Sequence, residues 1–261
     1  MLGLLHSTLI ENQMKKIICI LCLPFLVWAG GSGVLKNTEE LISAMHKKYN
    51  GNFNANITFI QINTYFLEGG KTHGDISYEA FHYPGKFRVD HGVKHSQEGF
   101  IVRNDSVYNF KGGVMVNKTP DTYDLLMLTG DIYFLMPKES ISKIRAMGYN
   151  MSKFHENVWN GKPVYVVGAD KGDEKSPQFW IDMEELYLVR NINVNKENGK
   201  VEDQHFKEHA KVSKAWVEER VEIFVDGVMV KKEHYAEVKA DNALDMKIFE
   251  PAHLGKVHWR K

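Results

Sequence analysis

Short segments rich in β-branched and aromatic residues, separated by turn dipeptides, dominate the sequence from residue 54 onward. Five such segments follow one another: residues 54–67, 74–83, 87–91, 100–104 and 106–110. In a second series, over residues 150–239, the turns carry dipeptides that supply the positive φ angles of tight hairpins: Asn160-Gly161, Asn198-Gly199 and Asp226-Gly227. Since no strand–helix–strand alternation interrupts either series, the sequence predicts a mainly β (α+β) fold with an antiparallel sheet.

The strand register around the last of these turns can be predicted. A two-residue turn at 226–227 gives one mostly apolar face, on which Val225 pairs with Val228 and Ile223 with Val230. The other face then carries two complementary charge pairs, Glu222 with Lys231 and Arg220 with Glu233, each worth roughly 0.2–1 kcal/mol. Because both faces agree on one register, we expect Ile223 to lie on the apolar face.

One helix is predicted before the first strand. Asn37 can cap a helix over residues 38–49, and Glu40 occupies the capping-box position. Four apolar residues of this segment are spaced to form one stripe: Leu41, Ile42, Met45 and Tyr49. We therefore expect this helix to pack one face against the sheet.

A helical insertion, residues 121–148, separates the two strand series. It contains helical spacing over 123–128, an apolar stretch over 132–136 and a second helix from about 139 to 147. Two interpretations stay open. The insertion is a fixed plug over one face of the sheet, or it is a movable lid over an apolar cavity, with Gly130 and Pro137 as places where the backbone can bend.

The N-terminal region has the layout of a secretory signal peptide. An apolar run at residues 17–28 follows two lysines and precedes small residues. The run is shorter than the about 20 residues that a membrane span needs, and it contains both cysteines of the chain, Cys19 and Cys22. We expect residues 1–29 to be a cleaved export signal, with residues 1–13 upstream of a true start at Met14.

The remaining chain, residues 30–261, is expected to form a single domain without cysteine. It carries 31 Lys+Arg and 32 Asp+Glu residues. Such a balanced charge gives no field that would attract a polyanion, which argues against nucleic-acid binding.

The common signatures of catalytic and metal sites do not occur. The chain contains no H-E-x-x-H and no G-x-S-x-G motif. His205 and His209 have the spacing of helical zinc ligands, but they fall in a predicted strand, where about 13 Å would separate them. The sequence therefore predicts no catalytic residue, no metal site and no cofactor.

Several short motifs occur in a fixed order along the chain. They are 59–61 (FIQ), 83–89 (YPGKFRV), 104–108 (NDSVY), 178–182 (QFWID), 188–190 (LVR), 225–227 (VDG) with Tyr235 and Val238, and 249–251 (FEP). Each motif is weak alone. Their order and spacing resemble the LolA-type periplasmic lipoprotein carriers and the broader outer-membrane lipoprotein-sorting family.

This resemblance implies a curved, incomplete antiparallel β-barrel with an N-terminal helix and a helical lid. It implies a non-enzymatic periplasmic carrier that binds the acyl chains of a lipoprotein or lipid for transfer toward the outer membrane. A membrane-bound donor complex and an outer-membrane acceptor would be its partners, and we expect a monomer. The predicted lining of cavity and lid is Ile57, Phe59, Tyr83, Phe87, Leu125, Leu126, Met127, Leu128, Ile132, Phe134, Leu135, Val221, Ile223, Val225 and Val230.

Two other functions are compatible with the same patterns. One is a regulatory module that senses a lipid or lipoprotein and passes the signal to a partner. The other, with the least support, is a secreted hydrolase. The sequence also departs from the carriers at one point: they place Arg directly before the Pro, where it helps to latch the lid, and this chain has Tyr83 there. Arg88 is nearby but not aligned, so the latch does not carry over.

Overall fold

The described chain contains fifteen strands, of which thirteen pair side by side in one antiparallel sheet. The strands, in chain order, are β1 (Asn56–Phe66), β2 (Thr72–His82), β3 (Lys86–His91), β4 (Gly99–Arg103), β5 (Ser106–Lys111), β6 (Val114–Pro120), β7 (Phe154–Trp159), β8 (Lys162–Val167), β9 (Gln178–Asp182), β10 (Leu188–Val194), β11 (Val201–Lys207), β12 (Ala210–Val212), β13 (Ala215–Val217), β14 (Arg220–Val225) and β15 (Val228–Ala240). The sheet order is β6-β5-β4-β3-β2-β1-β15-β14-β11-β10-β9-β8-β7, and β12 pairs with β13 separately. The sheet stays open at β6 and β7, so the predicted incomplete antiparallel barrel is confirmed.

The computed structural model describes residues 34–241 and 243–260. Leu35–Lys261 forms one compact unit. The predicted export signal at residues 1–29, with Cys19 and Cys22, lies outside the described residues.

The sheet curves around one core. Strands β4 and β8 are nine places apart in the sheet order, which would be roughly 40 Å in a flat sheet with strands about 4.8 Å apart. Nevertheless, Val102 of β4 and Tyr165 of β8 belong to the same cluster of buried apolar side chains. The face that lines this cluster is called the concave face below.

Helix α1 (Thr38–Tyr49) forms as the sequence predicts. The backbone N–H of Glu40 donates to Asn37 Oδ1 at 2.8 Å, which caps the helix. Leu41, Ile42 and Met45 are fully buried. The predicted apolar stripe therefore packs α1 into the core.

The helical insertion folds as four short pieces. They are α2 (Asp124–Leu126), a π turn (Met127–Asp131), α3 (Ile132–Phe134) and α4 (Pro137–Ala146). Helix α4 begins two residues before the predicted position, because a proline is well tolerated in the first helical turn. Pro137 therefore starts a helix inside the insertion.

The β14–β15 hairpin departs from the predicted register. The turn and its first pair, Val225 with Val228, are confirmed, but a bulge follows between Phe224 and Ile223. The later pairs are each displaced by one residue: Ile223 pairs with Lys231, Glu222 with Lys232, and Arg220 with His234. Because side chains alternate between the two faces of a strand, this slip turns Lys231 and Glu233 toward the concave face.

The C-terminal segment covers the opposite, convex face of β2 to β5. It contains two 3₁₀ turns, Met246–Phe249 and Pro251–His253. Arg88 of β3 is fully buried beneath it and donates from Nη1 to the carbonyl oxygens of Ile248 and Val257, both at 2.9 Å. Arg88 also pairs with Asp90 at 2.7 Å. Since Arg88 lies on the face away from the insertion, it fastens the C-terminal segment and cannot latch a lid.

Candidate functional site

Four aromatic rings form the floor of the concave face. Phe59, Phe81, Phe87 and Tyr235, called the aromatic floor below, come from β1, β2, β3 and β15 and are at most 5% exposed. Ring centroids lie 4.1 Å apart for Phe59 and Tyr235 and 4.0 Å apart for Phe81 and Phe87. Strand pairing places these rings side by side, because Phe59, Phe81 and Phe87 occupy inward positions on adjacent strands.

The helical insertion covers this apolar face. Leu126, Met127, Leu128 and Ile132 are at most 3% exposed and belong to the same core cluster as the aromatic floor. A cavity of about 20 Å³ remains beside the floor and the insertion, bounded partly by Thr129, which is room for about one water molecule. An acyl chain can therefore reach the aromatic floor only if the insertion moves away.

The turn between β2 and β3 forms a seat for the π turn of the insertion. Tyr83 packs against Gly130 so closely that any β-carbon at position 130 would overlap its ring. Tyr83 Oη also lies 3.4 Å from Thr129 Oγ1. Tyr83 therefore contacts the insertion mainly through close packing.

Two carboxyl groups tie the insertion to the sheet. Asp131 Oδ1 accepts a hydrogen bond from the backbone N–H of Gly85 at 2.9 Å. At the start of α2, Asp124 Oδ2 accepts hydrogen bonds from the side-chain amides of Asn191, at 3.4 Å, and Asn193, both on β10. Tyr133 Oη also donates to the carbonyl oxygen of Leu186 at 2.9 Å, and Lys143 Nζ pairs with Asp105 at 2.8 Å. Several polar contacts along its length and apolar burial therefore hold the insertion.

Burial raises the pKa of both carboxyl groups. The pKa of Asp131 is raised to about 7, although the hydrogen bond from Gly85 opposes this shift. Burial likewise raises the pKa of Asp124. Near neutral pH, Asp131 therefore exists in both protonation states, and its ionised form accepts the stronger hydrogen bond from Gly85.

Most of the predicted lining residues come together. Nine are buried in the core cluster, namely Ile57, Phe59, Tyr83, Phe87, Leu126, Met127, Leu128, Ile132 and Val221, and four partly buried ones pack against it, namely Leu125, Phe134, Leu135 and Ile223. Val225 and Val230 are partly buried but lie outside this cluster. Val230 was predicted to pair with Ile223, but the bulge leaves Val230 without a partner on β14 and pairs Ile223 with Lys231 instead. This shift explains why Val230 does not join the cluster. That the clustered residues bind a ligand stays a prediction.

A second compartment of the concave face was not predicted. Six polar side chains, called the polar chamber below, line a cavity of about 120 Å³: Gln61, Asn63, Ser77, Glu79, Lys231 and Glu233. Five of them are at most 8% exposed, all except Lys231. The roof of this cavity includes Leu125 and Tyr123 of the insertion. The concave face is therefore apolar at one end and polar at the other.

The sequence of β1 carries a signal for this change. Ile57 and Phe59 occupy inward positions, and the next inward positions along the strand are Gln61 and Asn63. The predicted lining included Ile57 and Phe59 but not these two polar residues. The lysine and glutamate of β15 could not be assigned to this face without knowledge of the bulge.

The described residues contain neither a cluster of metal ligands nor a membrane-spanning helix. Within residues 34–241 and 243–260, no three His, Cys, Asp or Glu side chains come together in a geometry that could hold a metal ion. His205 Nε2 contacts Asp203, while the ring of His209 stacks on Tyr187. In the same part of the chain, no helix combines the length and apolar character needed to cross a membrane.

Three solved structures share the fold over most of the chain. A domain described as an outer membrane lipoprotein-sorting protein from Vibrio parahaemolyticus is 10% identical, with a TM-score of 0.56 over 84% of this chain and 100% of that one. A DUF1329 family protein from Desulfovibrio piger is 11% identical, with a TM-score of 0.57 over 83% and 97%. A LolA superfamily protein from Nitrosomonas europaea is 9% identical, with a TM-score of 0.51 over 80% and 96%.

These similarities define the class of fold. The chain has the fold of LolA superfamily and outer membrane lipoprotein-sorting domains, so the resemblance inferred from the sequence motifs is confirmed at the level of fold. No protein-family model matches the sequence, and no curated protein matches it. At 9–11% identity these similarities show the fold and do not identify a ligand.

Proposed function

We propose that this protein is a periplasmic carrier that binds acyl chains of a lipoprotein or lipid between the aromatic floor and the helical insertion. The observation that carries the proposal is that a continuous aromatic surface in an open sheet is covered by a separate segment. Besides apolar packing, polar contacts of Asp124, Asp131, Tyr133 and Lys143 tether this segment to the rest of the domain. The insertion acts as a lid rather than a plug.

The physical need for such a carrier follows from the hydrophobic effect. Each acyl CH₂ group exposed to water costs about 0.8 kcal/mol, so a chain of about fifteen carbons costs on the order of 12 kcal/mol. Free transfer across an aqueous compartment is therefore negligible. A protein that exchanges its own apolar cover for the acyl chain keeps both surfaces away from water.

The composition of the cover suits this exchange. When the insertion opens, Leu126, Leu128 and Ile132 lose their contacts with the floor, and an acyl chain supplies new ones. Met127 lies in the same buried row, and its flexible side chain can pack against chains of different shape. Ligand binding therefore offsets the cost of opening, which gives a carrier that stays closed when empty.

The remaining parts of the proposal follow from this function. The carrier operates without catalysis or cofactor, in the periplasm, after removal of residues 1–29. It accepts its cargo from a membrane-bound donor and delivers it to an acceptor at the outer membrane. A monomer is sufficient, because the aromatic floor and its cover come from one chain.

The experiment is a binding titration with a fluorescent fatty acid on the purified protein. We expect saturable binding with a stoichiometry of one or two chains per protein, and recovery of lipid from protein purified under mild conditions. Ile223→Arg places a charge at a partly buried position of the concave face and should weaken binding at least tenfold. Val228→Arg, at an exposed position of the same hairpin, is the matched control and should bind as wild type. Absence of saturable binding by folded wild-type protein would overturn the proposal.

A further inference from the structure

The polar chamber contains two carboxyl groups and one ammonium group. Glu79 and Glu233 face the cavity, and Lys231 is the one ammonium group among its described lining residues. Lys231 Nζ already pairs with Glu233 Oε1 at 2.7 Å. Burial alone would lower the pKa of Lys231, but Glu233 more than offsets this and the pKa is raised. Lys231 therefore forms its ion pair with Glu233, while its charge also acts on Glu79.

Glu79 forms no ion pair in the described chain, although the positive charge of Lys231 opposes the rise of its pKa. Its Oε1 accepts a hydrogen bond from Ser77 Oγ at 2.8 Å, and its side chain lines the cavity. The residue is only 5% exposed. Burial, followed by the nearby charge of Glu233, raises the pKa of Glu79 to about 8. A buried carboxyl group that lines a cavity and forms no ion pair in the described chain is unusual, since such groups normally have partners.

The amide side chains of the chamber are arranged to accept as well. Gln61 Nε2 donates to Asn63 Oδ1, and Asn63 Nδ2 donates to Asp75 Oδ1, each at 2.8 Å. One amide donor of each residue is thus directed along β1 and toward the exposed Asp75. The side chains of Gln61 and Glu79 add amide and carboxyl oxygens to the lining of the cavity. A guest that donates several hydrogen bonds matches these acceptors.

Resting on the acyl-chain binding proposed above, we propose that the polar chamber holds the ammonium head of an amphiphile whose acyl chain lies on the aromatic floor. An ammonium group has three donors and no acceptor, and it can form with Glu79 the ion pair that Lys231 forms with Glu233. The cavity of about 120 Å³ is several times the roughly 10–15 Å³ that one water needs. It therefore has room for a small head group.

The polar chamber, which would hold the head group, adjoins the aromatic floor, which would hold the acyl chain. Phe87 belongs to the aromatic floor and also forms a wall of the polar chamber. Glu79 pairs across the sheet with Phe59, another ring of the floor. Leu125 of the insertion packs against the core cluster and lines the chamber as well. Opening the insertion therefore exposes both compartments together, and one amphiphile can occupy both.

The experiment compares three probes with the same twelve-carbon chain: dodecylammonium, dodecanol and dodecanoate. At pH 8.5 Glu79 is mostly ionised and the amine is still charged. We expect dodecylammonium to bind about tenfold more tightly than dodecanol, which is the size of one charge-assisted hydrogen-bond network, and dodecanoate to bind most weakly. The preference should shrink at pH 6, where Glu79 is protonated. Other ionisable groups facing the chamber are Lys231 and Glu233 of β15, Asp75 of β2, His91 of β3, Tyr65 of β1 and Tyr123 of the insertion.

The decisive variant is Glu79→Gln, which has nearly the same shape as the protonated carboxyl group. We expect it to fold as wild type, to bind dodecanol unchanged and to reduce the amine preference to less than about twofold at pH 8.5. Glu156→Gln, at an exposed carboxylate of β7, is the matched control and should keep the preference. Lauroyl lysophosphatidylethanolamine carries the same ammonium on a lipid head. If it binds as tightly as dodecylammonium, the source is a lipid; if it does not, the source is a free long-chain amine.

The outcomes separate this inference from the proposed function. If dodecanol and dodecylammonium bind equally and Glu79→Gln changes neither, the ammonium site is overturned while acyl-chain binding stands. If dodecanoate binds best, the ammonium site is likewise overturned. If none of the probes binds to folded protein, the carrier function itself fails.

Discussion

Gly130 packs against Tyr83 at a distance that leaves no room for a β-carbon. A β-carbon at position 130 would approach three atoms of the Tyr83 ring closer than 3.0 Å, a separation that real β-carbons essentially never show. Tyr83 is only 4% exposed, so its ring has little freedom to move. Glycine is therefore required here by close approach of the insertion to the β2–β3 turn. Gly130 was predicted to be a place where the backbone of the insertion bends, and in the structure it packs against Tyr83.

This contact predicts an inverted effect of alanine at position 130. Alanine normally stabilises a helical position relative to glycine by about 1 kcal/mol. Gly130→Ala should instead lower the free energy of unfolding by about 1–3 kcal/mol, because overpacking a buried contact strains it. In a Tyr83→Leu background the same change should cost far less. Urea unfolding of the two single variants and the double variant measures this coupling.

Gly74→Ala is the control for the Gly130 experiment. Its β-carbon would meet the Asn63 carbonyl oxygen at 3.5 Å, which is an ordinary contact, and its φ is not positive. A cost of Gly130→Ala that is the same with Tyr83 or Leu at position 83 would contradict the proposed seat.

The carboxyl group of Asp131 predicts a pH dependence of stability. Its pKa is about 7 in the folded protein and near 3.9 in an unfolded chain. Between these values the folded state keeps a proton that the unfolded state has lost. The contribution of Asp131 to the free energy of unfolding is therefore fully present below about pH 4 and falls as the pH rises to about 7, by at most about 1.4 kcal/mol per pH unit.

Asp131→Asn should remove this part of the pH dependence. We expect the decrease in stability between pH 4.5 and pH 7, measured by urea unfolding, to be smaller in the variant than in wild type. Asp121→Asn, at an exposed position of the same insertion, should leave the profile unchanged. Identical slopes for wild type and Asp131→Asn would show that the carboxyl group titrates normally in the folded protein.

Local patterns predicted the elements but not how distant segments meet. The capping box of α1 and the Asp226-Gly227 turn are formed by neighbouring residues, and both were predicted correctly. The bulge at Ile223 depends on how β15 packs against β1 and β14 together, so no pattern within the hairpin reveals it. In the same way, the partners of Arg88 come from residues 248 and 257, far along the chain.

The exposed edge strand was also missed for a physical reason. All seven residues of β6 are exposed, so burial imposes no alternation of apolar and polar side chains on this segment. Of the aromatic floor, the lining prediction missed Phe81 and Tyr235, whereas Phe59 and Phe87, which occupy inward positions on their strands, were predicted. The polar chamber was not, because it depends on the register of β15.

Arg88 predicts a structural rather than a functional effect. Its ion pair with Asp90 is fully buried, and removing one member of a buried pair typically costs about 3–5 kcal/mol. We expect Arg88→Met to lose stability of this size by urea unfolding and to loosen residues 243–260 in hydrogen exchange. Arg145→Met, at an exposed position of α4, should cost little. Because Arg88 lies on the convex face, the folded fraction of Arg88→Met should still bind a fatty-acid probe, and loss of that binding would contradict its assignment to the C-terminal segment.

The last prediction distinguishes a lid from a plug. Leu126 lies on the buried side of the insertion and is 3% exposed, whereas Met136 of the same insertion is 65% exposed. If the insertion is a plug, Leu126→Glu buries a charge and should destabilise the whole fold by several kcal/mol. If it is a lid, the loss cannot exceed the free energy of opening, because the variant opens instead of unfolding. We expect a small loss of stability, weaker binding of the fatty-acid probe, and amide exchange in residues 121–148 that is fast without ligand and slow with it. Met136→Glu should leave stability and exchange unchanged. A collapse of the unfolding midpoint in Leu126→Glu, together with protection of the ligand-free insertion equal to that of β1, would establish a plug, and the aromatic floor would then be an ordinary core without access for an acyl chain.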